Sequence, residues 1–303
     1  MIMSLTSCLV YFLSGYAALV LAFYMLSVLV PKAAFVARAL ASYICLILCA
    51  IYGALASIVL RILGHEQISQ WATARAFKYV MALTTGITFE VEDPGKYLDT
   101  VRPAVFIGNH QTELDVLMLG CMFPKHCSVT AKKNLKKIPF LGWFMSLSGT
   151  VFIDRTSSKN ARDAMAGAAE EIQRRKQSVY MFPEGTRSYS KEPGLLPFKK
   201  GAFHLAVQAG VPIVPVVAAN YSHILHIKSF TFNQGKIPVK VLDPIPTTGL
   251  TAEDVDELTR STREVMLQEI MALTQKARNQ PIAIPASLSN GVATSSGRYT
   301  SRS

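Results

Sequence analysis

Two short polar runs in this 303-residue sequence combine groups that can move a proton and groups that can hold an anion. The first is Asn109-His110-Gln111-Thr112-Glu113-Leu114-Asp115, directly after a strand-like run that ends at Gly108. An imidazole and a carboxylate five positions apart meet if the loop curls back. Asp115 then accepts from one ring nitrogen and leaves the other as a base, which is the His–Asp half of a catalytic triad. No Gly-x-Ser-x-Gly elbow is present. A His–Asp pair without a serine is what is expected where the substrate's own hydroxyl attacks. By itself the spacing fits equally well a capped loop that holds a structural histidine.

The second run is Phe182-Pro183-Glu184-Gly185-Thr186-Arg187-Ser188. Gly185 lets the backbone approach a ligand, Thr186 offers a hydroxyl, and Arg187 offers a planar fork suited to phosphate oxygens. Alone, the run also fits a turn in which Arg187 pairs with Glu184. Lys132 follows another strand-like run and is placed to reach an anion. Its neighbours Lys125, Lys133, Lys136 and Lys137 read mostly as a solvated face. Arg155 closes the run Gly149–Arg155 beyond a further strand, where an ion pair with Asp154 or Glu170 is the plain alternative. Val211–Val217 is an apolar strand carrying Pro212 and Pro215, so it is expected at a sheet edge or a bulge, because proline has no N–H for a ladder.

The elements that must position these groups are legible as alternating short β-branched runs and helical patterns from Gln67 onward. Strands are expected at 87–91, 104–108, 128–131, 150–153, 179–182, 211–217 and 237–242. Helices are expected at 68–85, near 112, and at 139–148, 157–176 and 198–209. Thr251 with Asp254 three residues later is a capping signature that opens a final helix. Such alternation predicts an α/β layer architecture with a central, mostly parallel mixed sheet flanked by helices. His110, Lys132, Arg155 and Glu184–Arg187 all fall just past a predicted strand, and the carboxyl ends of strands are where open α/β sheets bind ligands. One cleft can therefore collect a base and several cations.

Composition supplies the setting. Only 17% of the chain is charged, against 31 Lys and Arg and 20 Asp and Glu for a net charge of +11. Usual soluble domains carry about 25% charged residues. The deficit is local: residues 1–60 hold just Lys32 and Arg38 as charged side chains, and Leu5–Val30 and Ala39–Leu60 hold none. About 20 apolar residues of helix cross a bilayer core. The first run is too long, and lacks the basic start, for a signal peptide. The expected organisation is a membrane-embedded two-helix segment over 1–64, a catalytic domain over 65–279, and a flexible Ser/Pro-rich tail over 280–303. The two apolar helices can make two full spans or a hairpin in one leaflet. The five cysteines form no disulfide or metal-ligand spacing, which suits the reducing cytosol. Excess positive charge beside a membrane segment favours anionic lipids and phosphorylated substrates. No nucleic-acid-binding module is recognisable, and no protein partner can be inferred.

These motifs, in this order, resemble the glycerolipid acyltransferase family, specifically its 1-acyl-sn-glycerol-3-phosphate acyltransferases. The resemblance runs from about Gln67 to Arg278. Asn109–Asp115, Gly149–Arg155, Phe182–Ser188 and Val211–Val217 match its four motifs, and Ala131–Gly142 and Leu196–Ala206 look like its fungal-type branch. Thr112 stands where the family usually has Ser, and the hydroxyl is kept. The resemblance implies acyl transfer from acyl-CoA to the sn-2 hydroxyl of lysophosphatidic acid, giving phosphatidic acid and free CoA. It implies His110 as general base oriented by Asp115. It also implies Glu184, Gly185, Thr186 and Arg187 as holders of the glycerol phosphate, with Arg155 and Lys132 as further candidates. Acyl-CoA enters as co-substrate. Because thiolate leaves readily, neither a metal, a cofactor nor an acyl-enzyme is expected. The implied location is a membrane, the endoplasmic reticulum with a cytosol-facing site; a lipid droplet also suits a hairpin anchor.

Overall fold

The computed structural model describes residues 4–153 and 158–278. Arg155 and the tail expected over 280–303 lie outside the described residues. In chain order the elements are α1 (Leu5–Leu26), α2 (Ala33–Ile62), α3 (Ser69–Thr85), β1 (Ile87–Glu92), α4 (Tyr97–Thr100), β2 (Val105–Gly108), α5 (Asp115–Met122) and β3 (Cys127–Lys132). A 3-10 turn, Lys133–Lys137, leads into α6 (Leu141–Leu147), β4 (Val151–Ile153), α7 (Ser158–Arg175), β5 (Ser178–Met181) and α8 (Gly201–Ala209). The chain continues with β6 (Ile213–Ala218), β7 (Leu225–His226), β8 (Thr231–Phe232), β9 (Gly235–Val241) and α9 (Val255–Arg278).

Seven strands form one sheet in the order β1-β9-β6-β2-β5-β3-β4. Strands β6, β2, β5, β3 and β4 run parallel, β9 pairs antiparallel with β6, and β1 runs with β9. This is the mostly parallel mixed sheet expected. Side chains alternate across it, as the two-residue period of a strand requires. Val105 and Ile107 face a core shared with α7, α8 and α9, whereas Phe106 faces a core shared with α3 and α5. Both faces are thus covered by helices, the usual state of parallel sheet.

Strand β6 lies in the interior between β2 and β9, so of the edge or bulge expected for its prolines it is the bulge that is found. Pro215 is tolerated because regular pairing with β9 covers only Val216–Ala218 and resumes out of step at the Ile213–Ile245 bridge. Two residues of β6 oppose three of the partner there, which is a bulge. On that side Pro215 only accepts, from the N–H of Leu242 at 2.9 Å.

Both apolar helices are long and apolar enough to cross a membrane by length and composition. Their packing differs. α1 is largely exposed, whereas α2 buries Ala33, Ala37, Ala41, Cys45, Cys49, Gly53 and Ser57. Residues four apart lie on one face of a helix, so these small side chains make a seam that lets α3 and α6 approach closely. At Gly53 a Cβ would sit 2.7 Å from both the Phe144 ring and the Thr73 methyl. Packing is continuous across residue 64, since Cys45 and Cys49 join the same core as Phe106 and Val216.

Candidate active site

The loop after β2 and the turn after β5 are adjacent because β2 and β5 are neighbours in parallel register. Chain connections also reverse direction here: β2 leads to β3 on one side, and β5 leads to β6 on the other. Ligands in open α/β sheets bind at such a switch point. His110 and Asp115 meet, with Nδ1 to Oδ2 at 2.7 Å. The expected curl of the loop is secured by Asp115 itself, whose Oδ2 also accepts from the N–H groups of Gln111 at 2.6 Å and Thr112 at 3.2 Å.

The other carboxylate oxygen has its own donor. Tyr221 Oη–H donates to Asp115 Oδ1 at 2.7 Å and accepts from the Thr112 amide at 3.1 Å. Burial, and then the charge of Asp115, push the Tyr221 hydroxyl well above its ordinary range, so it keeps its proton and remains a donor. Asp115 is fully buried at 1% side-chain exposure, while His110 keeps 19%. Four donors around one carboxylate leave it no freedom to turn, and a buried carboxylate needs such pairing. The His110 ring is stacked on Phe182 at 4.1 Å between centroids, with 15° between planes. Among the described residues, no protein group bonds Nε2 of His110.

Asn109 and Gln111 stitch the loop to the end of β6. The Asn109 side chain donates to the carbonyl of Ala218 at 3.0 Å and accepts from its N–H at 2.8 Å. Gln111 donates to the carbonyl of Ala219 at 2.9 Å. The two motif loops are tied directly as well, by Ser188 N–H to the His110 carbonyl at 2.9 Å and Tyr189 N–H to the Gln111 carbonyl at 3.1 Å.

Glu184 does not face outward with the cations. It is 3% exposed. Its Oε1 accepts from the His110 N–H at 2.7 Å and its Oε2 from the Leu196 N–H at 2.8 Å. Burial pushes its carboxyl up to about 7, against the opposing pull of those two amides. A carboxylate so placed braces the backbone of His110, and its charge would repel a phosphate. Gly185 adopts φ +71°, a left-handed conformation that glycine tolerates without strain. Lys199 lies across it: a Cβ on Gly185 would meet Lys199 Cδ and Cε at 3.1 Å and Nζ at 3.3 Å.

Arg187 does not pair with Glu184. Its Nη1 donates to Glu113 Oε1 at 3.0 Å and to Tyr189 Oη at 3.3 Å, and Tyr189 donates to the same Glu113 oxygen at 2.6 Å. Its Nε is buried without a partner. Thr186 is exposed at the tip of the turn. Lys132 is exposed at the end of β3, whose register with β5 brings it level with the residues after Met181. His110, Asp115, Gly185, Thr186, Arg187 and Lys132 therefore share one edge of the sheet.

Sequence reasoning missed Tyr221, Lys199 and the ring of Phe182. Tyr221 follows β6 as His110 follows β2, so the strand-end rule could have found it. Lys199 is brought over Gly185 by a contact distant in sequence, from its own N–H to the Pro183 carbonyl at 2.8 Å, which no local pattern signals.

An acyltransferase family model matches residues 90–219. A 1-acyl-sn-glycerol-3-phosphate acyltransferase of Saccharomyces cerevisiae is 45% identical over 222 residues, 73% of each chain. The human 1-acyl-sn-glycerol-3-phosphate acyltransferase beta is 41% identical over 225 residues, 72% of this chain and 78% of that one. The crystal structure of the 1-acyl-sn-glycerophosphate acyltransferase PlsC from Thermotoga maritima shares the fold, with a TM-score of 0.58 at 23% identity over 85% of this chain and 97% of that one. Sequence identity of this extent and coverage places the chain in the family of 1-acyl-sn-glycerol-3-phosphate acyltransferases.

Proposed function

We propose that this protein transfers an acyl chain from acyl-CoA to the sn-2 hydroxyl of lysophosphatidic acid, releasing phosphatidic acid and CoA for phospholipid and triacylglycerol synthesis. The observation that carries the reading is the engagement of His110 Nδ1 by Asp115 at 2.7 Å, with no group among the described residues bonding Nε2. In this scheme Nε2 takes the proton of the acceptor hydroxyl as its oxygen attacks the thioester carbonyl carbon. The tetrahedral adduct collapses, the C–S bond breaks, and the proton passes from His110 to the departing thiolate. Positioned proton transfer of this kind contributes about 10²–10⁴-fold to a rate. A thiolate is a good enough leaving group that the scheme needs no acyl-enzyme, metal or cofactor.

The acceptor phosphate is assigned to the cations of the same edge. Arg187 offers its fork, Lys132 and Lys199 offer point charges, and Gly185 and Thr186 let the backbone and a hydroxyl come close. Arg155 is kept as a candidate on its motif alone. Glu184 is assigned a positioning part, bracing the His110 backbone, because its carboxylate is already filled by two amides. Several cations favour a phosphomonoester with about two negative charges over a zwitterionic head group.

The two apolar helices are read as a hairpin seated in one leaflet. Arg38, near the start of α2, donates to the Phe232 carbonyl at 2.7 Å, and Arg61, near its end, donates to the Leu147 carbonyl at 3.4 Å. These contacts lie about 35 Å apart along the helix axis. A helix held to one side of the same domain at both ends cannot also carry one end across a bilayer. With its cysteines free, the domain suits the cytosolic face of a membrane, which the family resemblance makes the endoplasmic reticulum.

An acceptor panel tests the assignment. Purified protein is given labelled acyl-CoA with lysophosphatidic acid, lysophosphatidylcholine or glycerol-3-phosphate. Lysophosphatidic acid should give the highest kcat/KM; faster turnover of either other acceptor would overturn the choice.

A further inference from the structure

The surface between β3 and β4 has properties that the reaction does not use. Between Lys125 and Ile153 the chain carries five lysines and no acidic residue. The turn Lys133–Lys137 and helix α6 leave the large apolar side chains of Ile138, Phe140 and Trp143 exposed, at 43%, 39% and 57%. The Phe140 and Trp143 rings meet edge to face at 5.1 Å. Phe140 holds this place in a left-handed backbone conformation, φ +60°, which a phenylalanine seldom adopts. The inner side of α6 is already occupied: Gly142 and Met145 are buried, and Phe144 packs into the notch that Gly53 leaves in α2.

The neighbourhood indicates what covers them. α6 packs on α2, whose last residue Ile62 and the following Leu63 are themselves exposed at 79% and 62%. The apolar surface of the two-helix segment thus continues onto α6. Tryptophan and phenylalanine beside lysines form the amphipathic surface that settles at a membrane–water boundary, with rings among the head groups and lysine stems reaching up to anionic lipid. Lys132, at the other end of the same segment, belongs to the candidate active site.

We propose that Lys133–Leu147 is a third bilayer contact, separate from α1 and α2. Phe140 and Trp143 enter the interfacial layer, and Lys136 and Lys137 take anionic head groups. This seats the sheet edge carrying His110 against the membrane surface from which a lipid acceptor must come. The proposal rests on the single-leaflet reading of α1 and α2.

Trp143 can report on it directly, because the chain has just two tryptophans and the other is Trp71. The full chain carrying Trp71→Phe is reconstituted into phosphatidylcholine vesicles, with or without phosphatidylserine, that contain lipids brominated at shallow or deep positions. Flotation reports membrane attachment, and fluorescence reports Trp143. The expected result is flotation with Trp143 emission shifted to the blue and quenched more by shallow than by deep bromines. Lys136→Gln with Lys137→Gln should weaken that quenching on phosphatidylserine vesicles without changing flotation. Flotation with an emission that no bromine position quenches would overturn the proposal and leave the leaflet reading intact. Failure to float would overturn both, and quenching indifferent to the lysine changes would overturn the head-group part. If Trp71→Phe does not fold, the difference spectrum between the native chain and Trp143→Phe gives the same reading.

Discussion

At the level of single residues, the catalytic proposal depends on one carboxylate being unable to move. Asp115 Oδ1 is held by Tyr221 and Oδ2 by His110 and two backbone amides. Removing the Tyr221 hydroxyl leaves a buried oxygen underpaired, a loss of about 1–3 kcal/mol. Tyr221→Phe should lower thermal stability and kcat while leaving the acceptor KM near its native value; a raised KM with kcat unchanged would assign Tyr221 to binding instead. Glu184 makes a second test. Its carboxyl is raised from 4.5 to about 7, chiefly by burial. Folding therefore favours its neutral form. That contribution is complete below the ordinary glutamate pKa and is lost as pH climbs toward 7, at most about 3.5 kcal/mol at roughly 1.4 kcal/mol per pKa unit. Unfolding followed by circular dichroism between pH 4.5 and 7 should show stability declining in the native chain and a flatter profile for Glu184→Gln. Equal slopes would contradict the buried acid.

At the level of elements, what was legible in the sequence is what repeats locally. Short β-branched runs marked the strands, as at Val105-Phe106-Ile107, whose successive side chains enter opposite cores in the fold. Thr251 and Asp254 do form the expected cap, with the Thr251 N–H on Asp254 Oδ2 at 2.7 Å. What was not legible depends on partners far along the chain. Pro215 argued for an edge or a bulge, and the choice of the bulge is made by distant residues 242–244. The local alternative for Arg187 was Glu184, three residues away; its partner Glu113 is 74 residues away. Glu184 was placed with the phosphate-holding groups by its motif, and only the fold reveals that each of its oxygens accepts from a distant amide. The docking of α2 was equally hidden, because a seam of small residues reads in sequence as plain apolar helix. Gly53→Leu tests that seam. Overpacking of a tight contact costs about 1–3 kcal/mol, so the variant should unfold at a lower temperature. Gly15→Leu in α1, with nothing within 4 Å of its Cβ position, should not. A Gly53→Leu variant of native stability would deny the close approach.

For the whole molecule, three physical features converge on one edge of one sheet. Parallel register brings the ends of β2, β3 and β5 together, so that a base and cations dispersed over residues 110–199 share a site. The apolar α2 is attached to the domain at both ends, which on the proposed single-leaflet seating would set the orientation of that site to the lipid surface. The net charge of +11 draws anionic lipid toward it. All of this serves the proton that His110 is proposed to remove from the acceptor. The direct test is product formation from labelled acyl-CoA and lysophosphatidic acid in matched membranes holding native protein or His110→Ala, with insertion verified for both. The native chain should form labelled phosphatidic acid, and the variant should be slower by about 10²–10⁴-fold at unchanged membrane content. A variant that inserts normally and acylates at the native rate would contradict the account.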